Sequence, residues 1–140
     1  MTFFFEQASA NPAELLEWPI ISVYERSKGR RPVAVIDIIS LEADKNYCLI
    51  NLKNDQRILT TKTVKHYQLQ LPSVWFIQLH RKAIVNRQFI ERIENKEGAY
   101  KVGLTNGQSF PVSRRRWGQI RQQLLGNAAV KSRSINASFR

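Results

Sequence analysis

The sequence contains only one cysteine. Cys48 has no partner for an internal disulfide bond, and no group of cysteines and histidines has the spacing of a zinc site. Cys48 lies between Tyr47 and Leu49 in an apolar run. This position predicts packing in the core rather than chemical reactivity.

Long apolar runs are also absent. The N-terminal segment MTFFFEQ is too short to cross a bilayer, and it lacks the basic start and the small-residue cleavage site of a secretory signal. We therefore expect a cytoplasmic protein with no membrane partner. The chain has 140 residues, of which 43% are hydrophobic, and this size predicts one core and a single domain with short extensions.

Acidic residues are scarce, and their distribution is uneven. The chain has 22 Lys and Arg against 11 Asp and Glu, a net charge of +11, and no acid follows Glu97. Residues 1–19 carry three acids and no Lys or Arg, whereas residues 126–140 carry three cations and no acid, so residues 20–125 alone hold a net +11. Such a charge attracts phosphate-rich polymers or an anionic membrane, whereas an ordinary solvated face mixes both signs.

The apolar pattern predicts a mainly β fold. Apolar residues alternate or cluster in short runs that are separated by turn-forming residues. Tyr100, Val102 and Leu104 alternate with polar or small residues, and Asn106-Gly107 follows as a hairpin turn in which both residues are expected at positive φ. The predicted strands cover residues 20–25, 33–43, 46–52, 57–61, 74–79, 89–93, 100–105 and 108–113.

Three segments have helical features. Residues 11–18 could form a short N-terminal helix with Asn11 as its N-cap. In residues 61–71, apolar side chains recur at helical spacing until Pro72 ends the pattern. Ser113 is the expected N-cap of a last helix over residues 114–125, with an apolar stripe formed by Trp117, Ile120, Leu124 and Leu125.

Arg114, Arg115 and Arg116 fall at the start of this last helix and are expected to face solvent. The amino end of a helix is already partly positive, so three cations there destabilise the isolated protein unless an anion lies nearby. The Ser113 hydroxyl, the first helix amides and the three guanidinium groups together would suit a phosphate group.

Three blocks of the sequence resemble the signature of the LytTR-type DNA-binding domain family, which is found at the C-terminus of many bacterial response regulators. They are VIDIISLEADKNYCLI, HRKAIVN and LTNGQSFPVSRR, and the resemblance spans residues 20–125 in the family's order. Lys82 and Ala83 depart from the family pattern, which has a small hydroxyl residue and an aromatic one there. No receiver domain precedes these blocks, so a stand-alone member is expected.

The resemblance implies an elongated, mainly β sandwich of several sheets, with one or two short helices, that recognises DNA with loops at the ends of the sheets. Matched position by position, the regions that approach the bases are Asn46 or Tyr47, then Arg81, then Arg115. Four neighbouring cations are expected to hold phosphates: Lys45, Lys82, Arg114 and Arg116. The domain would cover residues 20–125, between an N-terminal extension (residues 1–19) and a flexible basic tail (residues 126–140).

The implied function is that of a bacterial transcriptional regulator that binds duplex DNA sequence-specifically, without catalysis or cofactor, and that could form a homodimer on repeated half-sites. RNA binding is the main alternative, because strand aromatics and basic loops can hold single strands. A nuclease would need a carboxylate cluster, for which Asp37, Glu42 and Asp44 are the candidates. On one strand, however, Asp37 would point away from the other two.

Overall fold

A computed structural model describes residues 2–4 and 18–126. This part of the chain is mainly β, as predicted, with two short α-helices, α1 (Val64–Gln68) and α2 (Arg114–Arg121). Short 3₁₀ turns cover Val35–Asp37 and Arg87–Phe89, and a π-helical turn, Gln122–Gly126, follows α2. The strands are β1 (Thr2–Phe4), β2 (Ile20–Glu25), β3 (Gly29–Ala34), β4 (Ile38–Asp44), β5 (Tyr47–Leu52), β6 (Arg57–Thr60), β7 (Phe76–His80), β8 (Ala83–Asn86), β9 (Ile90–Lys96), β10 (Ala99–Leu104) and β11 (Ser109–Pro111).

The strands form two antiparallel sheets. The larger sheet has seven strands in the order β3-β2-β6-β5-β4-β8-β7, and the smaller has four in the order β1-β9-β10-β11. β4 lies inside the larger sheet, where it pairs with β5 on one side and with β8 on the other. The β4–β5 hairpin and the β7–β8 hairpin therefore place their turns at the same end of this sheet.

Two hydrophobic cores lie on opposite faces of the larger sheet. β4 contributes Ile38 and Leu41 to one core and Ile39 to the other, because a β-bulge between Ile38 and Ser40 shifts the alternation of side chains. The first core includes residues of β2, β5 and Tyr67 of α1. The second includes residues of β9, β10 and Ile120 of α2. This arrangement explains why β4 is apolar on both faces.

Residues 33–43 do not form one strand, contrary to the sequence prediction. The 3₁₀ turn at Val35–Asp37 separates β3 from β4, and these strands lie four positions apart in the sheet order. The chain must therefore turn and cross the sheet between them. The apolar pattern hides the break, since Val35 within the 3₁₀ turn and Ile38 directly after it are both fully buried.

The helix predicted within residues 61–71 is only five residues long. Thr63 caps it, its Oγ1 accepting a hydrogen bond from the backbone N–H of His66 at 3.3 Å. Leu71 is buried although it lies beyond the helix, because the following turn carries it back to the core. His66 is half-buried with its ring edge-on to Tyr24 and Tyr67.

The remaining elements largely follow the prediction. The hairpin at Asn106-Gly107 joins β10 to β11, but only Gly107 has a positive φ, of 90°. Cys48 is fully buried, and burial raises the pKa of its thiol to about 12. Thr2–Phe4 pairs with β9, a contribution that the sequence did not predict. Most of the predicted N-terminal helix, and residues 127–140 of the predicted tail, lie outside the described residues.

Candidate nucleic-acid interface

Two turns lie side by side at one end of the seven-stranded sheet. Lys45 and Asn46 form the turn between β4 and β5, and Arg81 and Lys82 form the turn between β7 and β8. β8 starts opposite Glu42 of β4, and the backbone N–H of Ala43 donates to the carbonyl of Lys82 at 2.9 Å. In the sheet order the two turns are two strand spacings apart, or about 10 Å.

The start of α2 lies next to the end of β7. The backbone N–H of Ser113 donates to the carbonyl of Leu79 at 2.9 Å, and Nη1 of Arg116 donates to Oε1 of Gln78 at 2.9 Å. Leu79 is two residues before Arg81, so the helix start and the β7–β8 turn are neighbours. The structure thus brings together the three regions that the sequence analysis selected.

Most of the selected side chains are accessible. Two of the eight are half-buried, Tyr47 and Arg116, and the other six are exposed: Lys45, Asn46, Arg81, Lys82, Arg114 and Arg115. The Tyr47 ring lies beneath the guanidinium group of Arg26, at 5.3 Å from the ring centroid. Exposed cations at one end of the sheet can bind phosphates, and arginine can also donate two hydrogen bonds to guanine.

Two details of the last helix differ from the prediction. Ser113 precedes the helix, but its hydroxyl makes no capping hydrogen bond; its carbonyl instead accepts from the N–H of Arg116 at 3.0 Å. Arg116 does not face solvent freely, because it reaches across to Gln78 on β7. The exposed cations at the helix start are therefore Arg114 and Arg115, and Arg116 fixes the helix to the sheet.

His80 shapes the β7–β8 turn. Its Nδ1 accepts a hydrogen bond from the backbone N–H of Lys82 at 3.1 Å, which requires this nitrogen to be unprotonated. Partial burial lowers the pKa of His80, and the charges of Arg116 and Lys82 lower it further against the opposing effect of Glu42. His80 is thus a hydrogen-bonded structural histidine.

Sequence reasoning missed three side chains beside this site. Gln78 accepts hydrogen bonds from Arg116 and, at 3.3 Å, from Nε2 of Gln68. Arg26 contacts Tyr47, and Lys62 follows β6 at the same end of the sheet. The cations could have been noticed as basic residues next to strand ends, but nothing in the sequence pairs Gln78 with Arg116, which is 38 residues away.

Two of the three carboxylates considered for a nuclease are engaged with different partners. Asp37 forms an ion pair with Lys53 at 3.1 Å, and Oε2 of Glu42 accepts a hydrogen bond from Nδ2 of Asn51 at 2.8 Å. Within residues 2–4 and 18–126, no three His, Cys, Asp or Glu side chains are grouped as metal ligands. The helices of this part of the chain are all too short to span a bilayer.

Comparison with known proteins identifies the fold and the family. The sensory transduction protein LytR of Staphylococcus epidermidis is 37% identical over 89 residues, a match that covers 63% of this chain but only 35% of that relative. The LytTr DNA-binding domain of a methyl-accepting/DNA response regulator from Bacillus cereus superposes with a TM-score of 0.65 at 24% identity, over 75% of this chain and 95% of that domain.

The family assignment rests on the sequence match. Residues 28–125 match the family described as the LytTr DNA-binding domain. This range begins in the turn before β3 and ends within the π-helical turn after α2, so it includes both turns of the candidate interface and the start of the last helix. The chain belongs to the LytTR DNA-binding domain family.

Proposed function

We propose that this protein is a transcriptional regulator that binds duplex DNA sequence-specifically through loops and strand ends. The observation that carries the proposal is the convergence of the β4–β5 turn, the β7–β8 turn and the start of α2 at one end of the larger sheet. Each of the three regions contains at least one exposed cation. Because these cations lie at the end of the sheet, a duplex has room to lie across them.

The dimensions of this end suit a duplex. The two turns are separated by two strand spacings, about 10 Å, whereas the major groove is about 12 Å wide. In the proposed complex, Arg81 and Arg115 reach base edges, together with Asn46 or Tyr47. Lys45, Lys82 and Arg114 bind the flanking phosphates, and Arg116 supports the helix start from the protein side.

The aromatic side chains favour a duplex over a single strand. Single-strand binding needs open rings on which bases can stack. The Tyr100 ring is already stacked on Trp117, with centroids 3.7 Å apart. Arg26 covers Tyr47, and Lys62 lies 5.0 Å from the centroid of Tyr24. These rings are therefore occupied by the protein's own side chains.

We infer that the protein acts without catalysis or a cofactor, in the bacterial cytoplasm, where its DNA target lies. We also infer that it binds repeated half-sites as a homodimer, since two copies double the number of base contacts. We further propose that the DNA-binding domain covers residues 20–125. The N-terminal strand β1 lies outside these limits and pairs with β9 of the smaller sheet.

Binding competition tests the proposal. A duplex enriched by the protein from a random library, a random duplex and a single-stranded RNA of equal length are compared at two salt concentrations. We expect the enriched duplex to bind best, the RNA to bind worst, and all affinities to fall steeply as salt rises. Equal affinity for duplex and RNA would overturn duplex recognition, and magnesium-dependent cleavage of the DNA would support a nuclease instead.

A further inference from the structure

A second group of cations lies on the hairpin of β2 and β3. Residues 26–31, RSKGRR, hold four cations, and no acid occurs from residue 26 to residue 36. Arg31 is neutralised by Glu25, at 3.5 Å. Three others remain on the hairpin and a fourth follows β6. We call these four residues the hairpin basic surface: Arg26, Lys28, Arg30 and Lys62.

This surface adjoins the candidate interface. The backbone N–H of Arg26 donates to the carbonyl of Leu59 on β6 at 2.9 Å, and its guanidinium group covers Tyr47, the residue that follows Asn46. Lys62 follows β6 at the same sheet end as Lys45 and contacts the ring of Tyr24 on β2. The hairpin therefore meets the β4–β5 turn through the Arg26 side chain, whereas the hairpin turn with Lys28 lies beside Leu59, further along β6 from the β4–β5 turn.

The charges of this surface are not compensated by neighbouring acids. Among the described residues, no carboxylate oxygen lies within 4.0 Å of the cationic groups of Arg26, Lys28, Arg30 or Lys62. Arg26 and Lys62 are held against aromatic rings, contacts that orient a cation without neutralising it. All four side chains are exposed. Clustered like charges repel each other, so the arrangement favours an anion.

Protection of an exposed edge is a simpler explanation for part of this surface. β3 is an edge strand, and charged residues and proline on such strands prevent edge-to-edge association. That explanation fits Arg30, Arg31 and Pro32, which lie on β3. It does not account for Lys62, which lies on the other side of β2, or for Arg26, which is turned towards Tyr47.

We propose that the hairpin basic surface binds phosphate groups of the duplex beside the segment that Arg81 and Arg115 contact. This inference rests on the proposed function. Measured across the strands, β6 and β2 lie one and a half and two and a half strand spacings from the β4–β5 turn, or about 7 to 12 Å, and the hairpin turn is also set back along the strand axis, beside Leu59. At about 3.4 Å per base pair, the surface extends the contacted DNA by about three base pairs on one side.

The test removes charge at Lys28 and at Lys62, whose contact in the fold is with the half-buried ring of Tyr24 and not with a core residue. Lys28→Gln and the double variant Lys28→Gln/Lys62→Gln are compared with Lys53→Gln, a lysine in the β5–β6 turn at the opposite end of β5. Lys28→Arg keeps the charge. Each full-length variant is titrated with the enriched duplex at salt concentrations from about 50 to about 200 mM.

The salt dependence of DNA binding should change only in the variants in which the hairpin basic surface loses charge. Each lost phosphate contact lowers the slope of log affinity against log salt by about 0.9, so the double variant's affinity should fall about tenfold less over this range than that of the unmodified chain. Lys28→Gln should show about half of this change in slope. Lys53→Gln and Lys28→Arg should retain the original slope.

Hydroxyl-radical footprinting provides the second measurement. The unmodified chain should protect about three base pairs on one side of the site that the double variant leaves open. Unchanged melting temperatures of the variants would exclude unfolding as the cause. Equal slopes and footprints for the double variant and Lys53→Gln would overturn this inference alone, whereas failure of the unmodified chain to bind duplex would overturn the proposed function with it.

Discussion

At the scale of single residues, exposure separates the candidate contacts from supporting side chains. Arg81 and Arg115 are exposed, whereas Arg116 is held by Gln78. His80 accepts a hydrogen bond within the turn that presents Arg81. Arg81 and Arg115 therefore have a different expected role from Arg116 and His80, and substitutions should separate the two groups.

Arg81→Ala and Arg115→Ala should change sequence preference. An arginine that donates two hydrogen bonds to one guanine contributes about 1 to 3 kcal/mol of discrimination. Each substitution should therefore lower affinity for the preferred site by this amount and weaken the sequence preference at one or two base pairs. Lys82→Ala and Arg114→Ala should instead weaken all sequences similarly. Binding of the four variants to a library of single-base changes measures the difference.

Thermal stability is the control for these variants. Both arginines are exposed, so their removal should barely change the melting temperature. A uniform loss of affinity in Arg81→Ala and Arg115→Ala, with every base pair still discriminated, would identify both as phosphate contacts and contradict the assignment of base recognition.

His80 should make stability depend on pH. Its pKa is lowered in the folded protein, so below the ordinary value of 6.5 the unfolded chain binds more protons, and the free energy of unfolding should decrease as the pH falls. His80→Asn keeps a hydrogen-bond acceptor but does not titrate. Urea unfolding at about pH 5.5 and 7.5 should show a smaller loss for His80→Asn, while His66 is common to both proteins. Equal losses would contradict the prediction.

At the scale of elements, buried polar side chains fix the strands that carry the interface. Asn86, at the end of β8, is fully buried. Its Nδ2 donates to the carbonyl of Ile38 on β4 at 3.0 Å, and its Oδ1 accepts from the N–H of Gln88 at 3.1 Å. Asn86 therefore ties β8 to β4, the two strands from which the basic turns project.

Asn86→Leu should destabilise the fold. The substitution leaves the carbonyl of Ile38 and the N–H of Gln88 without their partner, and each unsatisfied buried group costs about 1 to 3 kcal/mol. We expect a loss of about 2 to 5 kcal/mol in the free energy of unfolding, measured with urea. The exposed Asn46→Leu is the matched control, and it should change stability little. Similar stability of both variants would refute the role of Asn86.

At the scale of the whole molecule, the charge is concentrated in the folded segment. Residues 20–125 carry a net +11, the same as the entire chain. The family match ends at residue 125, and the three cations beyond it are Lys131, Arg133 and Arg140. These residues can add to general attraction for DNA, but base recognition is assigned to the folded segment.

Deletion of residues 127–140 should therefore reduce affinity without removing sequence preference. Loss of three cations should make the salt dependence shallower, since fewer counterions are released on binding. The truncated protein should melt at a similar temperature and still prefer the enriched duplex over a random one. A folded truncated protein that binds both duplexes equally would place recognition in the tail and move the domain boundary.

The sequence by itself determined the secondary structure class and the family. Alternation identified β10, Asn106-Gly107 identified the hairpin after it, and three sequence blocks identified the LytTR family. These features depend on neighbours along the chain, because side-chain direction in a strand and the shape of a tight turn are local properties. The eight candidate contacts were likewise selected from short segments, and their roles stay predictions.

Only the tertiary structure decided which of these segments meet. The break at Val35–Asp37 follows from the position of β4 in the middle of the sheet, and the inward turn of Arg116 follows from the position of Gln78 on β7. The basic hairpin reaches the candidate interface because Arg26 packs on Tyr47. Such pairings depend on strand order and on contacts between residues that are distant in sequence, which local apolar patterns do not encode.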